Sequence, residues 1–176
     1  MANDYVVEPV TRDYLRRIAL LFREEFELRD ALCFPILDVL EKMRDKFPEF
    51  SFEIVEDHEL PPTVHADTNI LRQHIRIKQS VYDGAAEGNG RDRMTIAHEI
   101  GHFITLCVCE LTFQRNFEDE TVPPFQSPEW IAKCFAGELM IAEHLTNKMD
   151  PEEIASKCGV SLPAAKYQYS KMHENE

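Results

Sequence analysis

The chain has 176 residues, 44% hydrophobic and 29% charged, so there is apolar material for one real core, and two full domains are not expected. Thirty-two acidic against nineteen basic residues leave a net charge of −13, a surface that repels a phosphate backbone and argues against direct nucleic-acid binding. No apolar run approaches the roughly 18–20 residues of a membrane span, and the N-terminus lacks the basic and apolar segments of a signal peptide. An odd set of cysteines (33, 107, 109, 134 and 158) scattered through apolar segments fits a reducing compartment, so a cytoplasmic protein is expected.

Taken in chain order, apolar residues recur at helical spacing from Thr11, a plausible N-cap, to about Leu32. Pro35 opens a second helix, Ile36 to about Phe47, which Pro48 stops. Phe50–Glu56 alternates like a half-buried strand, Thr63–Asn69 is a second short one, and Gln73–Tyr82 alternates again, which predicts a small antiparallel sheet. Residues 83–90 read as a loop, 91–107 as a helix and 109–126 as a long connection. Ser127 caps the next helix, with Pro128 at its first position, and the helix runs to about Leu145. A helix from Asp150 to Gly159 and another from Ser161 to about Met172 close the chain. The expectation is a single α+β domain over 1–176. It comprises N-terminal helices (1–49), a small, mostly antiparallel sheet (50–82), two further helices (91–145) and a helix–turn–helix-like tail (150–173).

Inside the 91–107 segment lies His98-Glu99-Ile100-Gly101-His102. Two imidazoles four residues apart stand on one helical face, close enough to share a divalent ion. Glu99 is rotated about 100° from His98, beside the ion rather than on it, where a carboxylate can take a proton from activated water and pass it to a leaving amine. Chance alone yields about 0.03 matches from this His and Glu content. A catalytic zinc has three protein ligands and one open position. The longer three-histidine motif is absent, because Thr105 and Val108 stand where its Gly and His would be. The third ligand must therefore come from elsewhere, and Glu110, Glu118, Asp119, Glu120, Glu129, Glu138, Glu143 and His144 are candidates. Helical geometry favours Glu129, which shares a face with Ala132, Ala136 and Met140. Glu138 lies about 180° away and is the main rival.

With these residues in view, Arg91–Phe103 followed by Glu129-Trp-Ile-Ala-Lys-Cys-Phe-Ala-Gly-Glu-Leu-Met140 resembles the ImmA/IrrE family of zincin-like metallo-endopeptidases, and the tail from Pro151 to Tyr167 looks like that family's closing segment. The resemblance implies His98, His102 and Glu129 as ligands of Zn2+, with manganese or iron also suited to the set, and Glu99 as general base. It further implies a regulatory protease, of prophage, mobile-element or stress-response character, that cuts a helix–turn–helix repressor. The chain departs from the family pattern at Lys133, Ala142 and Gln168, which bears on substrate contacts rather than on the ligands.

Tyr82, Tyr167, Tyr169 and His144 are candidate oxyanion stabilisers, and His58, His65, His74 and His173 read as surface or loop residues. DNA reading by the tail is disfavoured, since Glu152, Glu153, Glu174 and Glu176 flank its few lysines. A protein of a different class remains open: a metal-containing regulatory or toxin–antitoxin partner-binding protein without turnover.

Overall fold

The computed structural model describes residues 5–7, 9–109, 113–115 and 126–174. Among them the architecture is α+β. Strand β1 (Tyr5–Val7) precedes helices α1 (Arg12–Glu25) and α2 (Ile36–Lys46). Strands β2 (Ser51–Val55), β3 (Ala66–Asn69) and β4 (His74–Lys78) follow, then α3 (Gln79–Ala86) and α4 (Gly90–His102). A π-helical segment, Phe103–Val108, continues α4. After it come β5 (Phe113–Arg115), α5 (Pro128–Met140), α6 (Glu143–Thr146), α7 (Pro151–Cys158) and α8 (Leu162–Met172).

The three-stranded sheet has the order β2-β4-β3. The expected antiparallel arrangement holds for β3 with β4, but β2 pairs with β4 in parallel, Ser51 opposite His74 and Val55 opposite Lys78. A second, two-stranded antiparallel sheet joins β1 to β5. Phe52, Ile75 and Ile77 of the larger sheet, together with Val39, Leu40 and Met43 of α2, face Ile96, Ile100 and Phe103 in one continuous core. Burying such side chains contributes about 1.5–3 kcal/mol each.

Three element boundaries differ from expectation. The first helix stops at Glu25, because Glu27 takes a left-handed φ of 59° and turns the chain. Arg23, 1% exposed, then donates to the Arg29 and Ala31 carbonyls beyond the turn and to the Leu139 carbonyl near the end of the helix Pro128–Met140. The third strand ends at Lys78, and Gln79–Ala86 is helical rather than strand and loop, burying Val81 and Ala85 one turn apart. The helix from Pro128 ends at Met140, and Ala142 begins a separate short turn of helix.

Helices α4 and α5 pack most extensively, and α5 is also covered by α1. The tail is docked onto this body: a Cβ at Gly90 would lie 2.4 Å from the Val160 carbonyl carbon and 2.5 Å from the Ser161 nitrogen. The start of α4 and the link between α7 and α8 therefore touch backbone to backbone. Among the described residues, no helix is long and apolar enough to cross a membrane.

Candidate metal centre

Helix α4 starts at Asn89, whose side chain accepts from the backbone N–H groups of Arg91 and Asp92. From that start, the 3.6-residue period carries His98 and His102 to one face and buries Ile96, Ala97 and Ile100 on the other. Helix α5 starts at Ser127, which caps it through Trp130 N–H, so Glu129 falls in its first turn. The two helices meet at Gly101 and Ala132. A Cβ at 101 would stand 2.8 Å from the Ala132 carbonyl oxygen. That contact sets Glu129, one turn before Ala132, against the two histidines.

The three side chains converge. His98 Nε2 lies 3.1 Å from His102 Nε2 and 3.1 Å from Glu129 Oε2, and His102 Nε2 lies 3.2 Å from Glu129 Oε1. The imidazole planes are nearly perpendicular, at 89°. One ligand atom from each residue falls within 4.8 Å of the others. Around a tetrahedral zinc with bonds near 2.0–2.1 Å, neighbouring donors stand about 3.3 Å apart. The donor set matches that spacing and that chemistry: two imidazole nitrogens and one carboxylate. His102 is buried, His98 half-buried and the Glu129 side chain 64% exposed, so among the described residues one side of the cluster is open. Hydrogen bonds from His102 and then His98 hold the Glu129 carboxyl well below the usual carboxylate range.

Glu99 is buried but does not join the cluster. Its Oε2 accepts a 2.6 Å hydrogen bond from the Thr68 hydroxyl of β3, which also reaches the Glu99 carbonyl at 3.3 Å. Thr68 is a site residue that the sequence reading missed. Its contact spans 31 residues, and a threonine in a short strand carries no local signal of it.

Glu138 is turned away. It is buried and bonded to Arg12 Nη1 at 3.0 Å and Arg16 Nε at 2.9 Å, tying α5 to α1. Glu143 pairs with Arg16 at 2.8 Å, and His144 with Asp30 at 3.3 Å. Glu110, Glu118, Asp119 and Glu120 lie outside the described residues.

Of the four oxyanion candidates, Tyr167 lines a groove that includes His98. Tyr82 bonds to Glu41 and Tyr169 stacks on His173. His65 meets Arg91, His74 bonds to Ser51, and His173 bonds to the Tyr169 carbonyl, all apart from the cluster.

No protein-family model matches the sequence, and no curated protein does so significantly. Among solved structures, a Mycobacterium tuberculosis transcriptional regulator is similar, with a TM-score of 0.60 and 16% sequence identity. The match covers 90% of this chain and 46% of that one, so this chain spans less than half of the regulator's length. The likeness is one of fold.

Proposed function

We propose that this chain is a metal-dependent endopeptidase that hydrolyses a peptide bond in a specific protein, a helix–turn–helix repressor being the expected substrate. The observation that carries the reading is the convergence of His98, His102 and Glu129 next to a buried carboxylate, Glu99, that stands outside the cluster and bonds to Thr68. A purely structural zinc is normally closed by four ligands and has no use for a neighbouring base. The similar fold of a protein described as a transcriptional regulator agrees with a regulatory role, as does the family resemblance of the 91–140 segment.

A divalent cation bound there supplies Lewis-acid polarisation of the scissile carbonyl and brings the pKa of a water toward 7. The chain's own residues do the rest. His98, His102 and Glu129 would hold it, on two helices that meet at Gly101 and Ala132. Thr68 holds Glu99 Oε2, which leaves Oε1 to accept the proton of the attacking water and to deliver it to the departing amine nitrogen. Strand β3 lies at the edge of its sheet, so among the described residues its outer side is unpaired. An extended substrate can add there beside Thr68.

The test compares the zinc-loaded native chain with Glu99→Gln on denatured casein and a panel of helix–turn–helix repressors. Cleavage by the native chain that is lost in the variant, with zinc content equal, supports the reading. Equal cleavage, or none by either, removes it and leaves a metal-containing regulatory protein that binds a partner without turnover.

A further inference from the structure

A groove of about 460 Å³ opens beside His98, between the first half of α4, the middle of α5 and the start of α8. This volume lies within the usual range of ligand pockets, roughly 300–1,000 Å³. Met94, Ala136, Ile141 and Ala164 give it an apolar lining, and Arg91 and Lys133 bring two cations. Among the described residues no carboxylate lines it, in a chain with thirty-two acidic and nineteen basic residues.

At one wall Lys133 Nζ lies 5.0 Å from the centre of the Tyr167 ring; Lys171 and Arg12, at 5.6 and 5.9 Å behind that ring, are held by Glu174 and Glu138. At the same wall Gln168 is 1% exposed. Its Oε1 accepts from Arg12 at 3.3 Å, which fixes the amide's orientation, and its Nε2 is a buried donor with no acceptor among the described residues. That amide is closed off from water, so it backs the groove, and the lining an occupant meets includes Met94, Ala136, Ile141, Ala164, Arg91 and Lys133.

We infer that the groove seats the part of the substrate next to the scissile bond, and that it selects a segment in which a large apolar residue adjoins Asp or Glu. The inference rests on the peptidase reading above, and it adds the sequence class of the substrate. The apolar residue covers Met94, Ala136, Ile141 and Ala164, and the neighbouring carboxylate meets Arg91 and Lys133. Elsewhere the −13 surface repels such a segment, so the groove both attracts it and sets its register.

The probe is a randomised dodecapeptide library passed over immobilised, zinc-loaded Glu99→Gln protein, with bound peptides sequenced by mass spectrometry. Apolar–acidic pairs are expected to be enriched about tenfold over apolar–basic pairs, and the preference to shrink in about 0.5 M salt. Adding Arg91→Glu and Lys133→Glu, both at exposed positions, should abolish it while helical content and zinc content hold. A library recovered without that preference, or a preference that survives the double charge reversal, overturns the inference. Turnover scores the peptidase reading separately. A native chain that cleaves nothing while the preference persists loses the peptidase reading and keeps the groove as a peptide site. Cleavage without the preference does the reverse.

Discussion

Gly101 of α4 and Ala132 of α5 are packed backbone to backbone: a Cβ at 101 would approach the Ala132 carbonyl oxygen to 2.8 Å and its Cα to 3.1 Å. Gly→Ala inside a helix ordinarily stabilises by about 0.5–1 kcal/mol. Here the new methyl meets main chain that cannot rotate aside, and overpacking of that kind costs about 1–3 kcal/mol. Gly101→Ala is therefore expected to lower stability by about 1–2 kcal/mol in urea unfolding. Because the helices must part, it should also weaken zinc retention at two histidines that it does not touch. An unchanged midpoint with full zinc content would mean that this contact does not set the site.

The two acids of α5 have opposite expected signatures. Glu138→Ala leaves Arg12 and Arg16 facing a buried space. Removing one partner of a buried pair costs about 3–5 kcal/mol, and the partial exposure of both guanidiniums reduces this to about 2–3 kcal/mol. Zinc stoichiometry should stay at one per chain. Glu129→Ala, on a side chain 64% exposed, should change stability of the metal-free chain little and remove the metal. Calorimetry and elemental analysis of the pair separate a structural acid from a ligating one.

Thr68 is a positioning residue for Glu99. Thr68→Val keeps the side-chain shape and deletes the donor. Cleavage is expected to fall about 10–100-fold at constant zinc content, with kcat affected more than KM, and Thr68→Ser should restore most of it. A purely structural role would show instead as lost stability and no rescue by serine.

Two buried thiols give stability an alkaline limit. Burial pushes Cys134 up to about 12 and Cys158 up to about 11. In the unfolded chain a thiol ionises near about 8.5. Above that pH the unfolded state holds fewer protons than the folded one, so stability falls as pH rises from about 8.5 toward 11 and 12. Below about 8 neither thiol contributes a slope. Urea midpoints measured from about pH 7.5 to 10 should decline, and less steeply in the Cys134→Ala, Cys158→Ala double variant. Parallel curves for the two proteins would contradict the assignment.

What the chain revealed before its fold was known follows the reach of each interaction. His98 and His102 are four residues apart on one helix, a relationship that a 3.6-residue period makes local. Glu129 was reachable because its helical face carries small residues, and Ala132 is the residue that presses on Gly101. The parallel pairing of β2 with β4 was hidden, since alternation in a strand says which face is buried and nothing about direction. Helix α3 was missed because Ile75, Ile77 and Val81 continue an alternating pattern past Lys78. Its own signature, Val81 with Ala85, is only two residues long. Thr68 against Glu99 and Arg12 against Glu138 join residues 31 and 126 positions apart, which no window along the chain contains.

As proposed, His98, His102 and Glu129 would hold one divalent ion and leave a coordination position open. X-ray absorption at the zinc edge of the loaded native chain tests it most directly. One zinc per chain is expected, with two imidazoles, one carboxylate oxygen and one exchangeable light ligand at about 2.0–2.1 Å, and loss of this signal in Glu129→Ala. A shell containing sulfur, a site closed by four protein donors, or a spectrum unaltered by Glu129→Ala would contradict it.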